Sequence, residues 1–136
     1  MKILQRWSSK KTYLTLGALC LLIACASVKS FTDITPHEAQ NLIEKQARNN
    51  VLVLLDVRTP EEFAAGHLNG ALNLNLNVPD FADRLNELDK TKVYLVYCKG
   101  GVRSARAMQI MQKQGFRQVY NLSGGLNKWQ AENRAL

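Results

Sequence analysis

Two short runs constrain this chain more than any other feature. Val51-Leu52-Val53-Leu54-Leu55 and Val93-Tyr94-Leu95-Val96-Tyr97 are apolar at every position, without the alternation of a half-exposed strand. Unbroken runs of β-branched, aromatic and leucine side chains fit strands covered on both faces, as in parallel sheets with helices on either side. Shorter strand candidates lie at 31–34, 71–74 and 118–120. Asn73, Asn75 and Asn77 alternate with Leu72, Leu74 and Leu76, a pattern that suits a short strand with two unlike faces.

Helix signals fill the gaps between these segments. Thr35-Pro36-His37-Glu38 and Thr59-Pro60-Glu61-Glu62 share one start signature. Thr is the N-cap, Pro takes the first helical position, and Glu at the third closes a capping box. The first predicts a helix to about Arg48, with Ala39, Leu42, Ile43 and Ala47 on one face. The second predicts a short helix through Phe63 that stops at Gly66. Further helices are expected at 79–88, at 104–114 before Gly115, and at 124–133. Strands alternating with helices predict an α/β domain with a mostly parallel sheet and helices on both faces. In such sheets ligands bind beyond the carboxyl ends of the strands, where Asp56 and Cys98 fall.

The first 24 residues read as an address. Lys2, Arg6, Lys10 and Lys11 precede an apolar segment from about Tyr13 to Ala24, and no acid interrupts it. The tetrapeptide Leu22-Ile23-Ala24-Cys25 resembles the lipobox of bacterial lipoproteins, in which the cysteine receives lipid and becomes the first residue after cleavage. Ala26 rather than Asp at the next position implies sorting to the outer membrane of a Gram-negative cell. The expected organisation is a signal peptide at 1–24, a linker at 25–30 carrying a lipidated Cys25, and one domain at 31–136. That domain would stand outside the cytoplasm, on the periplasmic face of a membrane. An uncleaved anchor helix over the uncharged residues 12–28 is the alternative, at the short limit for a bilayer span.

Removing the signal also resolves the charge. The net balance of +7 loses four cations and becomes +3, a weak basis for a nucleic-acid partner, and none is expected. Of the three cysteines, Cys20 leaves with the signal and Cys25 would carry lipid, so Cys98 stands alone. A lone thiol in an oxidising compartment is exposed to oxidation, and catalysis is one reason to keep it.

Tyr97-Cys98-Lys99-Gly100-Gly101-Val102-Arg103-Ser104 joins a buried strand to a helix. Successive backbone N–H groups at such a turn form a nest for an anion, and the helix N-terminus adds positive potential. Both lower a thiol pKa and populate the thiolate. Gly100 and Gly101 allow tight curling, and Lys99 and Arg103 supply cations for an anionic substrate. The opposite reading, an inert buried cysteine ending a strand, leaves the two glycines and two cations unexplained.

Four motifs in order resemble the single-domain rhodanese-like sulfurtransferases. They are Ile34-Thr35-Pro36; then Asp56-Val57-Arg58 with Glu61-Glu62-Phe63 and Gly66-His67-Leu68-Asn69-Gly70-Ala71; then Cys98 through Ser104; then Leu122-Ser123-Gly124-Gly125-Leu126 with Trp129. The resemblance implies a doubly wound α/β fold around a five-stranded sheet. It also implies a ping-pong reaction in which Cys98 takes sulfur from a small anionic donor such as thiosulfate. The resulting persulfide then passes its sulfur to cyanide or a thiol. Lys99, Gly100, Gly101, Val102 and Arg103 are the implied substrate-binding residues. A persulfide carrier serving a partner protein is the second reading. A cysteine phosphatase or arsenate reductase is the third; by resemblance, phosphatases place Arg six positions after Cys, where this chain has Ser104.

The remaining candidates have structural explanations at hand. Arg58 either assists the anionic donor or joins Asp56 in a hydrogen-bonded network. His67 follows a turn, His37 lies in a first helical turn, and Glu61 and Glu62 are explained by helix capping. Met108 and Met111 read as core. No metal-ligand spacing, dinucleotide fingerprint or phosphate loop occurs, so no metal or cofactor is expected.

Overall fold

The computed structural model describes residues 28–46, 49–132 and 134–136. The expected signal segment, Cys20, Cys25 and the Ala47–Arg48 end of the first helix lie outside the described residues. Five strands alternate with five helices: β1 (Ser30–Ile34), α1 (Pro36–Gln46), β2 (Leu52–Asp56), α2 (Pro60–Ala64), β3 (Leu72–Asn73), α3 (Phe81–Leu85), β4 (Val93–Tyr97), α4 (Val102–Lys113), β5 (Gln118–Leu122) and α5 (Gly125–Ala131). The sheet order is β1-β5-β4-β2-β3, and every pairing among the described strands is parallel.

The apolar run of β4 lies at the centre because both its faces are covered. Tyr94 and Val96 pack with Phe81 and Leu85 of α3 and Ala107 and Met111 of α4. Leu95 and Tyr97, pointing the other way, pack with Ala39 of α1 and Leu126 and Trp129 of α5. The α/β architecture with helices on both faces is therefore the one expected. Met111 is fully buried and Met108 packs beside it, as core methionines.

Both capping boxes form. The Thr35 Oγ1 accepts the Glu38 N–H at 3.3 Å, and the Glu38 carboxylate accepts the Thr35 N–H at 2.8 Å. The same reciprocal pair joins Thr59 and Glu62.

Several elements differ from their expected extents. β3 is only Leu72–Asn73, because the Asn75 Oδ1 accepts the Asn77 N–H at 3.0 Å in an Asx turn that ends the strand. Leu72 is exposed and Leu74 buried, so the leucines of that run do not share one environment. α3 stops at Leu85, after which Asn86, Glu87 and Leu88 each donate to a carbonyl three residues back and tighten into turns. β5 runs on to Leu122, pairing with Ile34; the polar Asn121 hides this extension from a hydrophobicity pattern.

Tyr97 links the sheet to the segment after α2. Its hydroxyl oxygen accepts the buried Leu68 N–H at 3.1 Å. Tyr97→Phe removes that acceptor and leaves a buried N–H unpaired, which should cost about 1–2 kcal/mol. Urea unfolding of the variant should show a lower midpoint with an unchanged slope.

Candidate active site

β4 ends at Tyr97, and Cys98 is the next residue, at the carboxyl edge of the sheet. The chain then turns through Lys99, Gly100 and Gly101. α4 begins at Val102, two residues earlier than expected, with Gly101 as its N-cap at φ +93°. A side chain at Gly101 would press on the Gly124 backbone nitrogen at 3.0 Å, so both conformation and space require glycine there. Gly100 adopts no positive φ and has open space around it, so of the two glycines only Gly101 performs the tight turn.

The early helix start places Ser104 in the first turn of α4, where backbone N–H groups have no intrahelical partner. Those donors converge on the sulfur. The Gly101 N–H reaches the Cys98 Sγ at 3.1 Å and the Ser104 hydroxyl at 3.4 Å, with backbone N–H groups of Ser104 and Gly100 contributing. Cys98 is only 1% exposed, and burial by itself pushes a thiol pKa up. The hydrogen bonds from Ser104, Gly100 and Gly101 outweigh that burial and hold the thiol below its ordinary value.

The loop is held from outside by its carbonyls. The Cys98 C=O accepts the Leu126 N–H at 2.9 Å, and the Lys99 C=O accepts the Asn127 N–H at 3.0 Å. Both donors belong to the first turn of α5. This approach is possible because residue 125 is glycine; a Cβ there would collide with the Cys98 and Lys99 carbonyls. The Gly101 C=O takes the Ser104 hydroxyl at 3.1 Å and the Asn121 Nδ2 at 3.3 Å, while Asn121 also donates to Asp33 at 2.8 Å. The single Ser104 hydroxyl hydrogen therefore has two acceptors in reach, Sγ and the Gly101 oxygen.

The charged residues divide by role. Arg58 donates to both Asp56 carboxylate oxygens at 2.7–3.0 Å and to the Gly66 C=O at 2.7 Å. The pair is buried, so the network between Asp56 and Arg58 forms, although the Arg58 side chain also borders the cleft described below. Arg103 donates from Nη1 and Nη2 to the two oxygens of Glu62 at 2.7 and 2.8 Å. That pairing raises the Arg103 pKa, and the neighbouring Cys98 adds to it. A cleft of about 210 Å³ beside the loop is lined by Arg58, Glu62, Gly66, Lys99, Asn127 and Leu136. Lys99 is exposed there, while Val102 points into solvent at 81% exposure.

The structure thus gathers Gly100 and Gly101 around the Cys98 sulfur, pairs Arg103 with Glu62, puts Lys99 on the cleft wall, and leaves the Val102 side chain outside. His67 stacks on Phe63 and its Nδ1 donates to the Phe63 C=O at 2.9 Å, a structural role. Sequence reasoning missed Ser104 as a donor to the sulfur, Asn121 as an anchor and Glu62 as the partner of Arg103. A lone asparagine in an apolar strand was the available signal for Asn121. Glu62 gave none, because its capping role already explained it.

Comparison with known proteins agrees with this geometry. Residues 35–132 match the family described as rhodanese-like domain. A thiosulfate sulfurtransferase, GlpE, of Ectopseudomonas mendocina is 35% identical over 105 residues, which are 76% of this chain and 89% of that protein. An uncharacterized protein, YqhL, of Bacillus subtilis is 43% identical over 82 residues, 60% of this chain; the chain spans 64% of that relative's length. Among solved structures, the rhodanese-like domain of the Anabaena Alr3790 protein superposes with a TM-score of 0.66 at 27% identity, covering 76% of each chain.

The donor set around Sγ generates a pH prediction. Ser104→Ala removes the hydroxyl that stabilises the thiolate, so the Cys98 pKa should rise and the thiolate should form only at higher pH. The pH profile of iodoacetamide alkylation, followed by intact mass, should move to higher pH than in the parent chain. An unmoved profile would assign the stabilisation to the backbone donors alone.

Proposed function

The chain belongs to the rhodanese-like domain family, and on that premise we propose that it is a sulfurtransferase working through a Cys98 persulfide. The observation that carries this reading is the ring of N–H and O–H donors closed on one sulfur atom. With the thiolate held ready by hydrogen bonds, no general base is needed beside it.

The Cys98 thiolate attacks the outer sulfur of a thiosulfate-like donor. The donor's S–S bond breaks, and sulfite leaves with the bonding electron pair. The persulfide on Cys98 then carries its charge on the terminal sulfur. Cyanide or an acceptor thiolate attacks that sulfur, the second S–S bond breaks toward Cys98, and the thiolate is restored. No external oxidant or reductant enters this cycle. Lys99, exposed on the cleft wall, and Arg103, beside the sulfur, supply positive charge toward the anionic donor. The small ring formed by the 98–103 loop suits a single sulfur better than a tetrahedral oxyanion.

We also propose that the domain is tethered outside the cytoplasm by lipid on Cys25. The support is the Leu22-Ile23-Ala24-Cys25 tetrapeptide after a basic, acid-free leader. Cys25→Ser should abolish labelling with radioactive palmitate, and unchanged labelling would exclude this site.

The persulfide is tested directly by mass. Incubation with thiosulfate should add one sulfur to the protein, and cyanide should remove it with release of thiocyanate. Cys98→Ser should fold, take up no sulfur and lose all thiosulfate:cyanide transfer, because a serine hydroxyl is not ionised near neutral pH. Transfer at the parental rate in that variant would overturn the assignment.

A further inference from the structure

Glu62 sits where two separate pieces of structure meet. Its backbone N–H donates to the Thr59 Oγ1 at 3.3 Å, and its Oε2 accepts the Thr59 N–H at 3.1 Å, closing the capping box of α2. The same carboxylate takes both terminal nitrogens of Arg103 from α4, forty-one residues away in sequence. Oε2 therefore serves the cap and the arginine together. Parallel two-point contacts of this kind fix the plane of a guanidinium as well as its distance. Glu62 and Arg103 are each close to 30% exposed, and Glu62 is one wall of the cleft beside the Cys98 loop.

The carboxylate is itself immobilised. Its stem is anchored by the N-cap, and the cap is fixed by Pro60 at the first helical position. Arg103, by contrast, is a long side chain with several rotamers and no other carboxylate partner in the structure described. Held at Nη1 and Nη2 by Glu62, it keeps Nε–H and one hydrogen on each terminal nitrogen for other acceptors. Arg103 is the second residue of α4, directly after the loop that carries Cys98, and the thiol adds to the rise of its pKa. Glu62 does not act as an acid: its pairing with Arg103 lowers its pKa to about 2, so it remains an anion across the working range.

We propose that Glu62 is a positioning residue for Arg103: the helix cap of α2 holds a carboxylate that aims the guanidinium at the sulfonate end of the anionic donor and at the sulfite that leaves. The proposal rests on the sulfurtransferase reading for its substrate and on the Glu62–Arg103 geometry for its mechanism. It makes the start of α2 part of the donor site, although no residue of α2 touches the sulfur.

Glu62→Gln separates the two roles. Glutamine at this position still supports a capping box, whereas its amide offers only one oxygen and no charge to Arg103. The variant should lower kcat/KM for thiosulfate about tenfold, through KM more than kcat, as expected for loss of a coupled contact. In an Arg103→Ala background the same change should have no further effect. Thr59→Ala removes the Oγ1 that accepts the Glu62 N–H but keeps the backbone N–H on Oε2 and the arginine contact, so it should lower thermal stability and keep kcat/KM within about twofold. Equal losses from Glu62→Gln with and without Arg103, or a Thr59→Ala loss as large as that of Glu62→Gln, would overturn the proposal. The same double-mutant cycle on the rate at which iodoacetate alkylates Cys98 reads Arg103 without any sulfur transfer. Absence of thiosulfate turnover in the parent chain would sink the sulfurtransferase reading, while non-additivity toward iodoacetate would still establish the clamp and additivity would reject it.

Discussion

The peptide groups of the loop after β4 are sorted by direction, and the site depends on that sorting. The carbonyls of Cys98 and Lys99 turn outward to the first N–H groups of α5. The amides of Gly100, Gly101 and Ser104 turn inward to the Cys98 sulfur. A trans peptide points its N–H and its C=O to opposite sides, so the outward Lys99 carbonyl turns the Gly100 N–H inward, while the Gly101 and Ser104 amides are set by the turn into α4. If α5 withdrew, the outward carbonyls would lose their partners, and the Lys99–Gly100 peptide would lose the contact that orients it.

Two glycines make the arrangement possible for different reasons. Gly101 takes a left-handed conformation that reverses the chain into α4. Gly125 leaves room for α5 to approach backbone to backbone. Asn121 adds a third point of attachment by joining the Gly101 carbonyl to Asp33 of β1, so the outermost strand of one edge also restrains the loop. The parallel sheet brings these parts together because each strand delivers its carboxyl end to the same edge.

The electrostatics of the sulfur are a contest between burial and hydrogen bonding. Burial favours the neutral thiol, and dipoles aimed at the sulfur favour the anion. The dipoles prevail, with the Ser104 hydroxyl and backbone donors as the agents. The two arginines differ in kind. Arg58 holds Asp56 and the Gly66 carbonyl through Nε and Nη2, braces the exit of β2 and also borders the cleft. Arg103 pairs with a carboxylate through Nη1 and Nη2 and spends only one hydrogen of each.

Much of this was legible in the sequence because it follows from local rules. The unbroken apolar runs determined that β2 and β4 are interior strands, and the Thr-Pro-x-Glu signatures determined where α1 and α2 begin. A cysteine after the most buried strand, followed by two glycines and a helix, located the site. What the tertiary structure decided are the relations between segments far apart in the chain. A capping glutamate explains itself within four residues, so nothing local announces that it also holds Arg103. Ser104 looks like the start of a helix until the helix begins at Val102 and its hydroxyl falls beside the sulfur. The same limit applies to Gly125, whose necessity arises only when α5 meets the Cys98 carbonyl. Periodicity and capping record short-range preference, whereas hydrogen bonds across the carboxyl edge depend on distances that only the packed sheet fixes.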